Sequence, residues 1–74
     1  MTQIPLYAIE TRFVNYNGRR YVKDSIYSTK LEADKRAAEL QARGYLTVVT
    51  YTTCGRFYSS KGSCYVVNKA ARRR

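Results

Sequence analysis

Positions 6–27 are rich in Tyr, Val, Ile, Phe and Thr on both sides of a polar Asn17-Gly18 pair. Asn-Gly is the preferred pair for a two-residue type I′ turn, because both central positions take positive φ, so the segment predicts a β-hairpin. A turn at that pair opposes Tyr16 to Arg19, Val14 to Tyr21, Phe13 to Val22, Arg12 to Lys23 and Ile9 to Ile26. Opposed residues share a face. One side of the hairpin then gathers Ile9, Phe13, Val22 and Ile26, and the other Arg12, Tyr16, Arg19, Tyr21 and Lys23. Pro5 falls at the strand entrance, where its missing N–H costs least.

The period changes at Thr29. Thr29-Lys30-Leu31-Glu32 has the spacing of a capping box, Lys30 to Arg43 is rich in helix formers, and Gly44 suits the left-handed position that ends a helix. Ala33, Ala37 and Leu40 form one stripe, flanked by Leu31 and Ala38, a narrow apolar face suited to close packing on a sheet. The opposite arc carries Glu32, Lys35, Arg36, Glu39 and Arg43 and reads as a solvated surface with the i,i+4 pairs Glu32–Arg36 and Glu39–Arg43. Tyr45 to Thr53 is a run of β-branched and aromatic residues and predicts a strand. Turn signals at Cys54-Gly55 and Lys61-Gly62 divide the remainder of the chain into short strands at 56–60 and 63–68. Tyr51, Tyr58 and Tyr65 would then stand in a row across three strands, unless a wide loop around Ser59 to Ser63 removes the third member. The expected fold is α+β, one antiparallel sheet of four or five strands packed on one helix, in the order β-β-α-β-β with room for a further β. Residues 1–68 make the single domain, and 69–74 a flexible basic tail with nothing to bury.

With 74 residues the chain buries only about 60% of its unfolded surface, which leaves no room for a second domain or a large cleft. No apolar run approaches the roughly 20 residues of a membrane span, and the first residues lack the pattern of a signal peptide. A cytoplasmic protein is expected, and Cys54 and Cys64 read as two reduced thiols. With no His and no Cys-x-x-C pair, neither a zinc site nor a His-based nucleophile can be assembled. The composition points to a protein that is not an enzyme and carries no cofactor.

Charge changes the picture more. Lys and Arg number 14 against five acids, a formal charge of +9. All five acids precede Gln41, and the segment from Gln41 to Arg74 has seven cations and none. This asymmetry implies a polyanionic partner: nucleic acid, or a nucleoprotein effector complex, and not a membrane. Tyrosines interleaved with cations offer stacking platforms beside phosphate contacts. On the first hairpin the candidates are Arg12, Tyr16, Arg19, Arg20, Tyr21 and Lys23, and on the second Arg56, Tyr58, Lys61 and Tyr65. Some of these tyrosines can equally be core, since the chain has eight Tyr and no Trp. Arg72, Arg73 and Arg74, with Lys69, make a basic end that can neutralise phosphates without reading sequence.

A strand, Asn-Gly, a strand, then Ser28-Thr29-Lys30-Leu31-Glu32-Ala33, a Lys-Arg-Ala-Ala-Glu-Leu helix and a Tyr/Val/Thr strand after Gly44 give an order of elements that resembles two groups. Over residues 6–67 the chain is similar to small phage-encoded anti-CRISPR proteins, built from a helix on a four- or five-stranded antiparallel sheet. That resemblance implies a non-enzymatic inhibitor of a host nucleic-acid-based defence. Over residues 6–43 it looks like the arm-type DNA-binding domain of tyrosine recombinases, which opens its helix with a similar Thr-Lys-x-Glu-Ala run. Here only two strands precede the helix and no catalytic domain comes after it, which favours a stand-alone inhibitor or regulator.

Overall fold

A computed structural model describes residues 4–9 and 13–71. The described elements are a 3-10 turn at Leu6–Ala8, β1 (Phe13–Tyr16), β2 (Arg19–Tyr27), α1 (Lys30–Ala42), β3 (Tyr45–Thr53) and β4 (Ser63–Ala71). The strands form one four-stranded antiparallel sheet, in the order β1-β2-β4-β3, with α1 against it. This is the α+β arrangement expected from the sequence, with the element order β-β-α-β-β.

Local chemistry sets most of these boundaries. Asn17 and Gly18 have φ of 53° and 73°, as a type I′ turn requires, and Tyr16↔Arg19, Val14↔Tyr21 and Phe13↔Val22 pair as the turn dictates. Thr29 caps α1 by accepting a 3.4 Å hydrogen bond from the Glu32 amide, and its hydroxyl donates to the Glu32 carboxylate at 3.2 Å. The helix ends one residue short of the expected Arg43. Gly44, at φ 95°, donates its amide to the Gln41 carbonyl at 3.0 Å.

The sheet is buried on both sides, by different means. Ala33, Ala37 and Leu40 of α1 pack on Tyr27 and Val67, with Tyr45, Val49 and Tyr65 partly covered beside them. On the opposite side Ile26, Cys64 and Val66 are covered by Ile4 and Ile9 and flanked by Cys54 and Tyr58. The N-terminal segment reaches this side through a bridge of Ile4 to Ile26 and the turn at Leu6–Ala8, so the expected pairing of Ile9 with Ile26 is replaced. Lys23 fastens the segment, its Nζ donating to the carbonyls of Leu6 and Ile9.

The faces expected for the first hairpin are also corrected. Tyr21 is 6% exposed, whereas Phe13 and Val22 are 50% and 41% exposed. The cause is a bulge in β2: Lys23 pairs with Asn68 and Ser25 with Val67, leaving Asp24 as an extra residue. One extra residue reverses the alternation. Ile26 therefore lies on the same side as Tyr21, and Val22 with Phe13 turns to the helix side, where α1, which packs mainly over β3 and β4, does not cover them.

Residues 56–60 form no strand. β3 pairs directly with β4 from Tyr45↔Ala71 to Thr53↔Ser63, and 54–62 is a loop. The tyrosine row consequently changes its members: Tyr65 sits between Tyr51 and Tyr27, and Tyr58 packs on the other side of the sheet. Cys54 and Cys64 are not reduced thiols but a disulfide, with Cα atoms 6.0 Å apart across the base of this loop. β4 continues through Ala71, so Lys69 belongs to the sheet and not to a tail. β3 is outermost, nine residues without a charge or a proline.

Candidate functional site

The described acids draw some of the cations to the helix and the bulge and leave others apart. Asp24 sits in the bulge with its side chain 7% exposed, 2.9 Å from Nε of Arg36 and 3.1 Å from Nζ of Lys69, and it accepts a hydrogen bond from the Ser25 hydroxyl. Burial pushes the Asp24 carboxyl up, but the hydrogen bonds from Arg36, Lys69 and Ser25 outweigh it and hold the group below the usual carboxylate range. Arg36 is raised in turn by Asp24 first and then by Glu39, 3.1 Å from it. The helix pairs Glu32–Arg36 and Glu39–Arg43 expected from spacing are thus replaced, because Arg36 turns toward the more buried acid. Asp34 pairs with Lys30 at 2.9 Å, which raises the Lys30 ammonium.

Every described acid is therefore on α1 or at the bulge beneath it. Arg19, Arg20, Arg56 and Lys61 have no carboxylate partner among the described residues. They fall into two groups, not one surface. Arg19 and Arg20 begin β2 beside the Asn17-Gly18 turn, and Arg56 and Lys61 lie in the loop that precedes β4, at the end where Tyr27 meets Tyr65. The length of β2 separates them, roughly 26 Å at about 3.3 Å per residue.

At the turn end, half-exposed Tyr16 meets the buried Tyr21 ring edge-on, with centroids 6.3 Å apart, and the Arg20 guanidinium lies 4.9 Å over Phe13. Two of the expected contact residues on this hairpin are structural instead: Tyr21 is core and Lys23 holds the N-terminal segment. Lys69 likewise serves Asp24, and its Nζ stands 5.1 Å from the centre of the Tyr45 ring. Tyr65 is half-buried against Tyr51, with centroids 5.0 Å apart. Arg12 and Arg72–Arg74 lie outside the described residues.

At the loop end, sequence reasoning missed the most exposed large apolar residue. Phe57 is 91% exposed, between Arg56 and Tyr58. A strand over 56–60 hides such a residue by assigning it to a sheet face. The signal for a closed loop was the ten-residue separation of the two cysteines, with a glycine just inside each. The loop is well held. Tyr58 and Ser59 donate their amides to the Gly55 carbonyl, Gly62 to that of Ser59 and Cys54 to that of Gly62, at 2.9–3.2 Å. Gly62 has φ 73°, and the place of its missing Cβ lies 3.7 Å from Cγ of Arg56, whose stem lies alongside.

Among the depressions of the described surface, two adjoin these elements. A cavity of about 190 Å³ on the side opposite α1 is lined by Ile9, Val14, Thr50, Val66 and Asn68. Asn68 is already satisfied there, donating to the Val48 carbonyl at 3.0 Å and the Thr50 hydroxyl at 3.2 Å. A recess between the loop and the start of α1 is lined by Lys61 and Thr29 but also by Glu32, whose charge disfavours an anion. Among the described residues no three His, Cys, Asp or Glu side chains gather into a metal-binding group, and no helix is long and apolar enough to cross a membrane.

Comparison with protein-family models, curated proteins and solved structures found no match.

Proposed function

We propose that this chain is a non-enzymatic binding protein for nucleic acid or a nucleoprotein complex, acting as an anti-CRISPR-like inhibitor of a host nucleic-acid-based defence. The observation that carries this reading is the separation of charge. The described acids are paired or engaged in the helix cap, while Arg19, Arg20, Arg56 and Lys61, at the two ends, have no carboxylate partner among the described residues. Such cations attract phosphates and release their counterions, giving affinity that falls steeply with salt. The helix is poorly suited to reading a groove. Its apolar face is spent on the sheet, and its outer face mixes Lys35 and Arg43 with Glu32, Asp34 and Glu39. That favours backbone-directed binding, or occupation of a surface that normally holds nucleic acid, over sequence-specific regulation.

Affinity capture from a bacterial host lysate, with and without nuclease, tests the reading. A defined protein complex retained after nuclease treatment supports the inhibitor. Retention that vanishes with nuclease supports instead a stand-alone nucleic-acid-binding regulator, and no retention in either arm defeats both. An inhibitor of this kind acts in the host cytoplasm, where disulfides are rare. Thiol trapping on protein taken directly from cells is therefore informative: a fully oxidised Cys54–Cys64 pair would move the site of action to an oxidising compartment.

A further inference from the structure

We infer that the Cys54–Cys64 loop is a base-stacking site for single-stranded nucleic acid, with the Phe57 ring as the platform and Arg56 and Lys61 as the neighbouring phosphate contacts. The inference deepens the nucleic-acid reading above and rests on it.

A single exposed apolar side chain needs no explanation by itself. Three features set Phe57 apart. Its ring contributes nothing to either side of the sheet, being the most exposed large apolar residue described, yet it is not left loose: Tyr58 meets it edge-on at 86°, with centroids 5.1 Å apart, and Tyr58 is itself anchored against the core beside Ile26 and Val66. The edge contact supports the ring and leaves it open to a stacking partner. The backbone beneath is closed by a disulfide and by the amide bonds onto Gly55, Ser59 and Gly62, so little order has to be gained on binding. Finally, two cations share the loop with the ring. Arg56 precedes Phe57 and its stem lies along Gly62, and Lys61 closes the loop; neither has a carboxylate partner among the described residues.

An exposed aromatic face in a loop that also carries two cations matches an unpaired base joined to its phosphates. It does not match duplex, whose bases are stacked already and offer a protein only their edges and backbone. Nor does it match a lipid surface, which needs a broad apolar face where this loop presents one fully exposed ring among Gly55, Ser60 and Lys61.

The chain contains no tryptophan, so a Phe57→Trp variant reports on the loop alone. Titrated with an oligo-deoxythymidine probe at low salt, it should lose fluorescence with the same midpoint as binding followed by anisotropy of a labelled probe. Phe57→Ala should weaken oligo-deoxythymidine about tenfold and leave a duplex of equal charge within about twofold. Phe57→Leu, apolar but not aromatic, should behave like Phe57→Ala. The inference is overturned, with the nucleic-acid reading intact, if the oligonucleotide binds without quenching or if Phe57→Ala weakens both probes equally. If the wild-type protein binds neither probe, the inference is overturned together with direct nucleic-acid binding, and occupation of a protein surface is judged by the nuclease-resistant capture alone.

Discussion

Asp24 accepts a 2.9 Å hydrogen bond from Nε of Arg36, twelve residues later in the chain, and this contact ties the bulge of β2 to the middle of α1. The folded carboxyl lies below its unfolded value of about 3.9. A depressed carboxylate contributes stability above its unfolded pKa and loses it as pH falls through the folded one. Asp24→Asn should therefore destabilise the fold by roughly 2 kcal/mol at pH 7. In urea melts from pH 7 to pH 2, the gap between wild type and variant should stay constant to about pH 5 and close below about pH 4. A gap that does not depend on pH would mean that the ionised contact is not what Asp24 contributes.

Tyr21 and Phe13 offer a direct check of the reversed faces. Tyr21→Ala removes a buried ring and should cost about 3 kcal/mol, whereas Phe13→Ala at a half-exposed position should cost less than about 1 kcal/mol. Thermal melts of the two variants should differ in that order. The opposite order would restore the plain alternation through residue 24.

The Cys54–Cys64 bond closes a short loop and restricts the unfolded chain. Its removal by a Cys54→Ala/Cys64→Ala double substitution should lower stability by about 3 kcal/mol, read as an earlier denaturant midpoint. The loop holding Phe57 should also exchange its amide hydrogens faster, beginning with Tyr58 and Gly62.

The two basic ends should act additively, being too far apart to share a partner group. Arg19→Ala/Arg20→Ala and Arg56→Ala/Lys61→Ala should each weaken nucleic-acid binding and flatten the salt dependence, by about 0.7 in log–log slope on a single strand, or about 0.9 on duplex, for each phosphate no longer neutralised. Lys23→Ala and Lys69→Ala should instead lower the melting temperature, since those side chains hold the N-terminal segment and Asp24. Equal slopes for wild type and all variants would remove these four cations from the interface.

Local signals carry the hairpin turn at Asn17-Gly18, the cap at Thr29, the helix stop at Gly44 and the strand Tyr45–Thr53, because each depends on a few neighbouring residues. The bulge has no such signal. Lys23-Asp24-Ser25 reads as ordinary polar sequence, and only the pairing of Lys23 with Asn68 and Ser25 with Val67 reveals the extra residue. Every expectation that depends on phase across it is reversed: Tyr21 points inward, and Phe13 and Val22 stand half-exposed. The second-half turns are real, but Cys54-Gly55 and Lys61-Gly62 bound one loop in place of two hairpins. That loop separates Tyr58 from Tyr51 and Tyr65 and presents Phe57. The paired role of Arg36 is equally beyond sequence spacing, since its partner is fixed by the packing of α1 on the sheet.

β3 ends the sheet as nine uncharged, largely β-branched residues whose outer edge no described strand pairs with. Such an edge is a template on which another copy could add its own strand. Nothing along β3 opposes this; the opposition comes from the rest of the molecule, whose charge of +9 makes two copies repel on approach. That repulsion is screened over about 10 Å at 0.1 M salt and over about 3 Å at 1 M. On the reading proposed above, the charge that draws the protein to polyanions would also keep its copies apart, and concentrated salt would relax both effects together.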